Sequence, residues 1–148
     1  YLASGGDLPA VYRELIKSPE PWSQEPLKFK SPWEWSVSAL RAVGARDLDS
    51  RAAASMLNQL GQPTWKPGSP AGWEDVAASW AGPDALVRRV EVAQRIAADV
   101  APTTDARKLA ETLFPESLGE TTRTAIARAE SPADGLALLL VSPEFVRR

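Results

Sequence analysis

The stretch "DALVRRVEVAQRIAADV", Asp84 to Val100, decides the fold class. Its apolar residues recur at helical intervals, with Leu86, Val90, Ala93, Ala97 and Val100 on the inward side and Arg88, Glu91, Arg95 and Asp99 elsewhere. The spacing predicts a helix over 84–100, with Glu91 and Arg95 forming an i,i+4 pair on its outer side. A second run, "GLALLLV" from Gly135 to Val141, is apolar on every side. A helix of that kind belongs at the centre of a domain.

The same period extends in both directions. Leu8, Val11, Tyr12, Leu15 and Ile16 form one face of a helix, with Asp7 as its cap and Pro9 in its first turn. Ala106, Leu109, Ala110, Leu113 and Phe114 repeat the pattern, capped by Thr104 or Asp105. Further helices are expected over 33–43, 50–60, 74–81, 117–129 and 132–141. Ser31 with Glu34, and Ser131 with Asp134, have the spacing of a capping box. Ser142 reads as another helix start, with Glu144 in the first turn where an acid complements the helix dipole. No stretch alternates long enough for a strand, and no fixed-period repeat occurs. The expectation is an all-α, compact multi-helix domain of about seven to nine helices, with 1–148 a single helical domain.

Composition narrows the chemistry. A chain of 148 residues can bury about 68–70% of its unfolded surface, enough for one core. The net charge of −2 is shared evenly, with 8 basic and 9 acidic residues up to position 80 and 9 and 10 beyond it. No basic stripe for nucleic acid results. The chain has neither Cys nor His, so thiol nucleophiles, disulfides, zinc fingers and imidazole bases are excluded within it. The longest apolar run, Leu136 to Val141, is far too short to insert across a bilayer. No calcium loop or phosphate-cradling loop is present, and no cofactor or metal is expected.

Two proline-rich segments interrupt the helices. "PEPWSQEPLKFKSP", Pro19 to Pro32, reads as an ordered surface loop pinned by Trp22 and Phe29, because Pro19, Pro21 and Pro26 each oppose helix at the preceding residue. Its single PxxP-like spacing is a weak signal for a proline-reading partner. "GQPTWKPGSPAG", Gly61 to Gly72, is half Gly and Pro and runs directly into Trp73.

Six tryptophans lie at 22, 33, 35, 65, 73 and 80, none later. Trp33 shares a helical face with Val37 and Leu40, and Trp80 ends a short helix, so these two are expected to pack. Trp65 and Trp73 suit a clamp that anchors the stiff loop at both ends. The clamp is the favoured reading; the alternative is a ligand site in which Trp65, Lys66, Trp73, Glu74 and Asp75 offer two aromatic plates, a cation and two acids. The pairs Glu74–Asp75 and Asp47–Asp49 could be imagined as acid and base for glycoside hydrolysis. That chemistry needs carboxyls flanking a cleft, whereas helix starts account for both pairs. No catalytic residue is assigned.

The blocks "LPAVYRELIKSPEPW", "KFKSPWEWSVSALRAVGA", "LGQPTWKPGSPAGW" and "GLALLLVSPEFVRR" together resemble the C-terminal part of a large bacterial family. It is the family catalogued as domain of unknown function eighteen hundred. The resemblance runs from about Leu8 to Arg148, and Gly61, Gln62, Pro63, Pro67, Pro70, Gly72 and Trp73 form its matching loop. Its members are much longer, which implies that the chain is the last third of a larger protein. It further implies a periplasmic or cell-envelope setting, with the upstream part of the parent, and a second protein, as partners.

Three functions follow as expectations. The first is a non-catalytic helical domain of a larger bacterial protein, used for interaction or scaffolding. The second is a glycan or small-ligand binding module using the Trp65–Trp73 loop, which expects both rings exposed. The third is a supporting part of an enzyme whose catalytic residues lie upstream, which expects an apolar face left uncovered.

Overall fold

A computed structural model of the chain describes residues 1–22 and 27–148. Among them are eight α-helices and no strand: α1 Leu8–Lys17, α2 Pro32–Ala42, α3 Ser50–Gln59, α4 Ala77–Trp80, α5 Pro83–Val100, α6 Ala106–Leu113, α7 Glu120–Ala127 and α8 Pro132–Leu140. The protein is all-α, as the helical spacing predicts. No helix among the described residues is long and apolar enough to cross a membrane.

Local chemistry places most helix starts. The Asp7 carboxylate accepts from the Ala10 N–H, and Asp49 and Asp105 each accept from two N–H groups of α3 and α6. Ser31 and Glu34 close a full capping box at α2, and Ser131 accepts from the Asp134 N–H at α8. Each bond satisfies a donor that the first helical turn would otherwise leave open.

Helix α8 is central. It packs against α5, α6 and α7, and Leu136, Leu139 and Leu140 are wholly buried. Leu138 alone of its leucines faces outward. Trp35, from α2, is buried against this layer and donates its indole N–H to the Leu140 carbonyl at 2.8 Å.

Several expectations need correction. The inward face of α5 is Arg89, Val92, Ala93 and Ala97, while Leu86 and Val90 face outward. The helix is rotated because the Arg89 guanidinium stacks over Phe29 at 4.8 Å and Trp35 at 5.8 Å and donates to the Lys30 carbonyl at 2.7 Å. Glu91 and Arg95 do not pair directly; Gln59 bridges them, accepting from Arg95 and donating to Glu91. Trp33 is exposed, and its neighbour Trp35 takes the core place. The helix expected over 74–81 shrinks to α4, so Glu74 and Asp75 precede it rather than start it. That expected over 117–129 shrinks to Glu120–Ala127.

Ser142 starts a turn, not a helix, with the Phe145 and Val146 N–H groups donating to its carbonyl. Glu144 still serves a helix N-terminus, but that of α7. It accepts from the Gly119 N–H at 3.0 Å and the Thr122 hydroxyl at 2.8 Å. A Cβ at Gly119 would lie 2.7 Å from the Glu144 carboxylate oxygen, so a side chain there would have to displace that carboxylate.

Part of the first proline-rich loop, residues 23–26, lies outside the described residues. Beside it, Phe29 is buried and forms a bridge with Arg147, and the backbones of Lys28 and Arg148 exchange two hydrogen bonds. Trp22 is exposed, and its indole N–H donates to the Ile16 carbonyl at 2.7 Å, fixing it to the end of α1.

Candidate binding surfaces on the proline-rich loop and on the first helix

Residues 61–76 contain no helix and are held by specific contacts at their edges. Gly61 sits at φ 88°, a conformation open to glycine at no steric cost, and closes α3. Next to it, the Gln62 side-chain oxygen accepts from the Trp33 N–H at 2.7 Å. The loop thereby caps α2 from outside, a role for Gln62 that no local spacing signals. At the far end Asp75 pairs with Lys28 at 2.6 Å, which ties the second proline-rich segment to the first.

The two bracketing tryptophans have different fates. Trp73 is half-buried and lies 6.0 Å from Trp80, with the rings tilted by 56°. Trp80 is buried and donates to the Glu74 carbonyl at 2.8 Å. Trp65 is 94% exposed and adopts φ 59°, the sole positive φ at a non-glycine among the described residues. A bulky residue there is strained by about 1–3 kcal/mol, and such strain concentrates at functional sites.

Of the five candidate residues, Trp65 and Lys66 stand together at the exposed tip. Trp73 is turned inward, Asp75 is engaged by Lys28, and Glu74 lends its backbone to Trp80. Pro63 is half-buried; Pro67 and Pro70 are exposed with the tip, and Gly72 closes a turn on Ser69. Among the described residues, no cluster of acids could hold a metal ion.

Sequence reasoning missed two neighbours of the loop's first residues: Trp33, whose backbone N–H donates to Gln62, and Arg88, whose guanidinium lies 3.5 Å from where a Cβ on Gly61 would stand. Only the exposed position of Arg88 on its helix could have signalled it.

The second surface is α1. Its apolar face is regular, yet it buries no residue: Leu15 is 59% and Ile16 62% exposed, with Leu8, Tyr12 and Trp22 similarly open. Exposed aliphatics scattered singly are ordinary, but a contiguous helical face is not.

Two open clefts also lie among the described residues. One of about 480 Å³ lies between α5, α7 and α8, floored by Val90, Ala137, Leu138 and Val141. The other, of about 550 Å³, lies where α6 and α8 begin. Neither gathers any of the sequence candidates.

No curated protein and no solved structure matches the chain. A family model does match, over residues 1–147, and the chain belongs to that family, described as "Protein of unknown function (DUF1800)".

Proposed function

We propose that this chain is a non-catalytic helical interaction domain that docks through the apolar face of α1 onto another polypeptide. The partner we favour is the upstream remainder of a larger bacterial protein. The observation that carries the reading is that five apolar side chains aligned on one amphipathic helix and its adjoining turn are all more than half exposed. A helix of ten residues is marginal in water unless its apolar face packs, because nucleation is costly and propagation gains little over so short a span. A covering partner supplies that packing.

An uncovered face is also what a supporting part of an enzyme would carry. In that second reading the upstream chain contributes the chemistry and α1 the seam. Both readings place the same surface in contact.

Amide hydrogen exchange tests the seam. The chain produced alone is compared with the full-length parent, and the amides of α1 are followed. Docking requires strong protection of Val11 to Ile16 in the parent and fast exchange in the isolated chain. Equal, fast exchange in both would remove the proposal. Activity screening of the parent against the isolated chain separates scaffold from enzyme support.

A further inference from the structure

The open cleft between α5, α7 and α8 shares no residue with α1, and its reading does not rest on the docking of that helix. We propose that it binds a free α-amino acid with a large apolar side chain. The zwitterionic head sits at Arg128, Glu130 and Asp134, and the side chain lies along Val90, Leu138 and Val141.

The floor of the cleft has a direction. Asp134, Ala137, Leu138 and Val141 all line it. Their spacing of i, i+3, i+4 and i+7 makes them one stripe along α8 and the residue that ends it. That stripe is charged at its first position and apolar at the other three, over about 10 Å of helix rise. Val90 of α5 adds to the apolar part. Leu138 is 39% and Val90 40% exposed, whereas the other three leucines of α8 are wholly buried. A single exposed aliphatic is ordinary. Two that line one concave surface together with Val141 offer a ligand an apolar seat.

The other end carries both signs of charge. Helix α7 stops at Ala127 and α8 starts at Pro132, so the short link between them delivers Arg128, Glu130 and Asp134 to the same cleft. Asp134 accepts from the Ser131 hydroxyl at 2.6 Å, which fixes its carboxylate at the start of α8. Among the described residues, no ion pair joins the Arg128 guanidinium to either acid, although all three line one cleft. A cation and two acids that share a cleft without closing on one another leave room for a group that itself carries both charges.

In that arrangement the ligand ammonium faces Glu130 and Asp134, and its carboxylate meets the planar fork of Arg128. A simple amine would leave the guanidinium without an anion, and a simple acid would face two carboxylates, so the head selects against both. The size agrees. A cleft of about 480 Å³ is in the range of small-ligand sites, which run from roughly 300 to 1,000 Å³.

The experiment is a titration of the ¹⁵N-labelled chain followed by amide chemical shifts, with leucine as the probe. Isoamylamine, which lacks the carboxylate, and N-acetyl-leucinamide, which lacks both charges, are the comparisons. Leucine should move the amides of 128–141 and of Val90 and Gln94 in a saturable way, and should bind more tightly than either comparison. Leu138→Gln should weaken leucine by about tenfold. Arg128→Gln should weaken leucine by about two- to fivefold, the scale of a solvent-exposed ion pair, and leave isoamylamine unchanged. Leu15→Gln, on α1, is the control and should alter nothing.

Leu138 and Arg128 are both exposed, so each variant tests the site without opening the core. Shifts that do not saturate, or that are scattered outside the cleft, overturn the site. Binding that survives Leu138→Gln does the same. If N-acetyl-leucinamide binds as well as leucine, the cleft receives an apolar side chain of a polypeptide, and the amino-acid reading is overturned.

Discussion

Arg89 shows most sharply what a single residue does in this fold. It is 2% exposed, one of its terminal nitrogens has no hydrogen-bond partner among the described residues, and no carboxylate faces it. Burial pushes its pKa down to about 10. Because the folded state holds the proton less tightly than the unfolded chain, the buried charge opposes folding at neutral pH. That opposition is relieved only as pH rises through about 10 towards the ordinary value. Its stabilising part is therefore its volume and stacking. Arg89→Met, which keeps the volume, should lie within about 1 kcal/mol of wild type. Arg89→Ala, which opens a cavity under Phe29 and Trp35, should cost about 2–4 kcal/mol. Urea unfolding separates them, and equal losses would show that the guanidinium itself holds the junction. Sequence missed this position because an arginine in a periodic series is read as the outward one, although positions 89, 92, 93, 96, 97 and 100 form an unbroken helical face.

A second residue gives a pH signature. Burial alone would raise the Glu144 carboxyl. Hydrogen bonds from its own backbone N–H, Thr122, the Gly119 N–H and Ser142 outweigh that and hold it below its usual value. A carboxyl lowered on folding contributes stability above its unfolded pKa and loses it as pH falls through the folded one. Glu144→Gln should thus be less stable by about 1–2 kcal/mol at pH 7. The gap should close in strongly acidic buffer. A gap of constant size down to that pH would mean that shape, not charge, is what the α7 terminus needs.

At the scale of elements, what was legible is what is local. Asp7, Ser31, Asp49, Asp105 and Ser131 each act within three residues of themselves, so their spacing alone announces α1, α2, α3, α6 and α8. Helix α7 has no local side-chain cap, because its start at Gly119 is served by Glu144 from 25 residues away. Its boundaries were accordingly the less legible. The face of α1 was legible as a face, but periodicity says which residues share a side and not whether anything covers that side. A measurable consequence follows. Leu15→Gln with Ile16→Gln should change the stability of the isolated chain by no more than about 0.5 kcal/mol, since neither side chain is buried. The same variant should reduce binding of a hydrophobic dye. A large loss of stability would mean that α1 packs onto the body of the chain, which would also undo the docking proposal.

Over the whole molecule, the fold is closed by contacts between its distant parts. Residues 28–30 run beside 146–148. Phe145 packs edge-on to Phe114 in the core, and Lys30 lies over the Phe145 ring and donates to its carbonyl at 2.7 Å. Arg148 pairs with Glu34 of the α2 capping box at 2.6 Å, so the last residue supports the start of a helix more than a hundred positions earlier. None of this was readable from periodicity, for the segment is too short to alternate and the partners are too far apart in sequence. It does give the last three residues a structural task. Removing Val146, Arg147 and Arg148 exposes the floor that the buried Val146 covers, breaks four backbone hydrogen bonds and releases Glu34. Burial of one Val and a few net hydrogen bonds amount to about 2–4 kcal/mol. For a chain of this size that corresponds to a fall in Tm of roughly 5–15 °C. Arg148→Gln alone should cost well under about 1 kcal/mol, because its ion pair is half open to solvent. If the truncated chain melts where the wild type does, the bridge at Phe29 is ornamental. The core would then be closed by α5 and α8 without help from the chain's end.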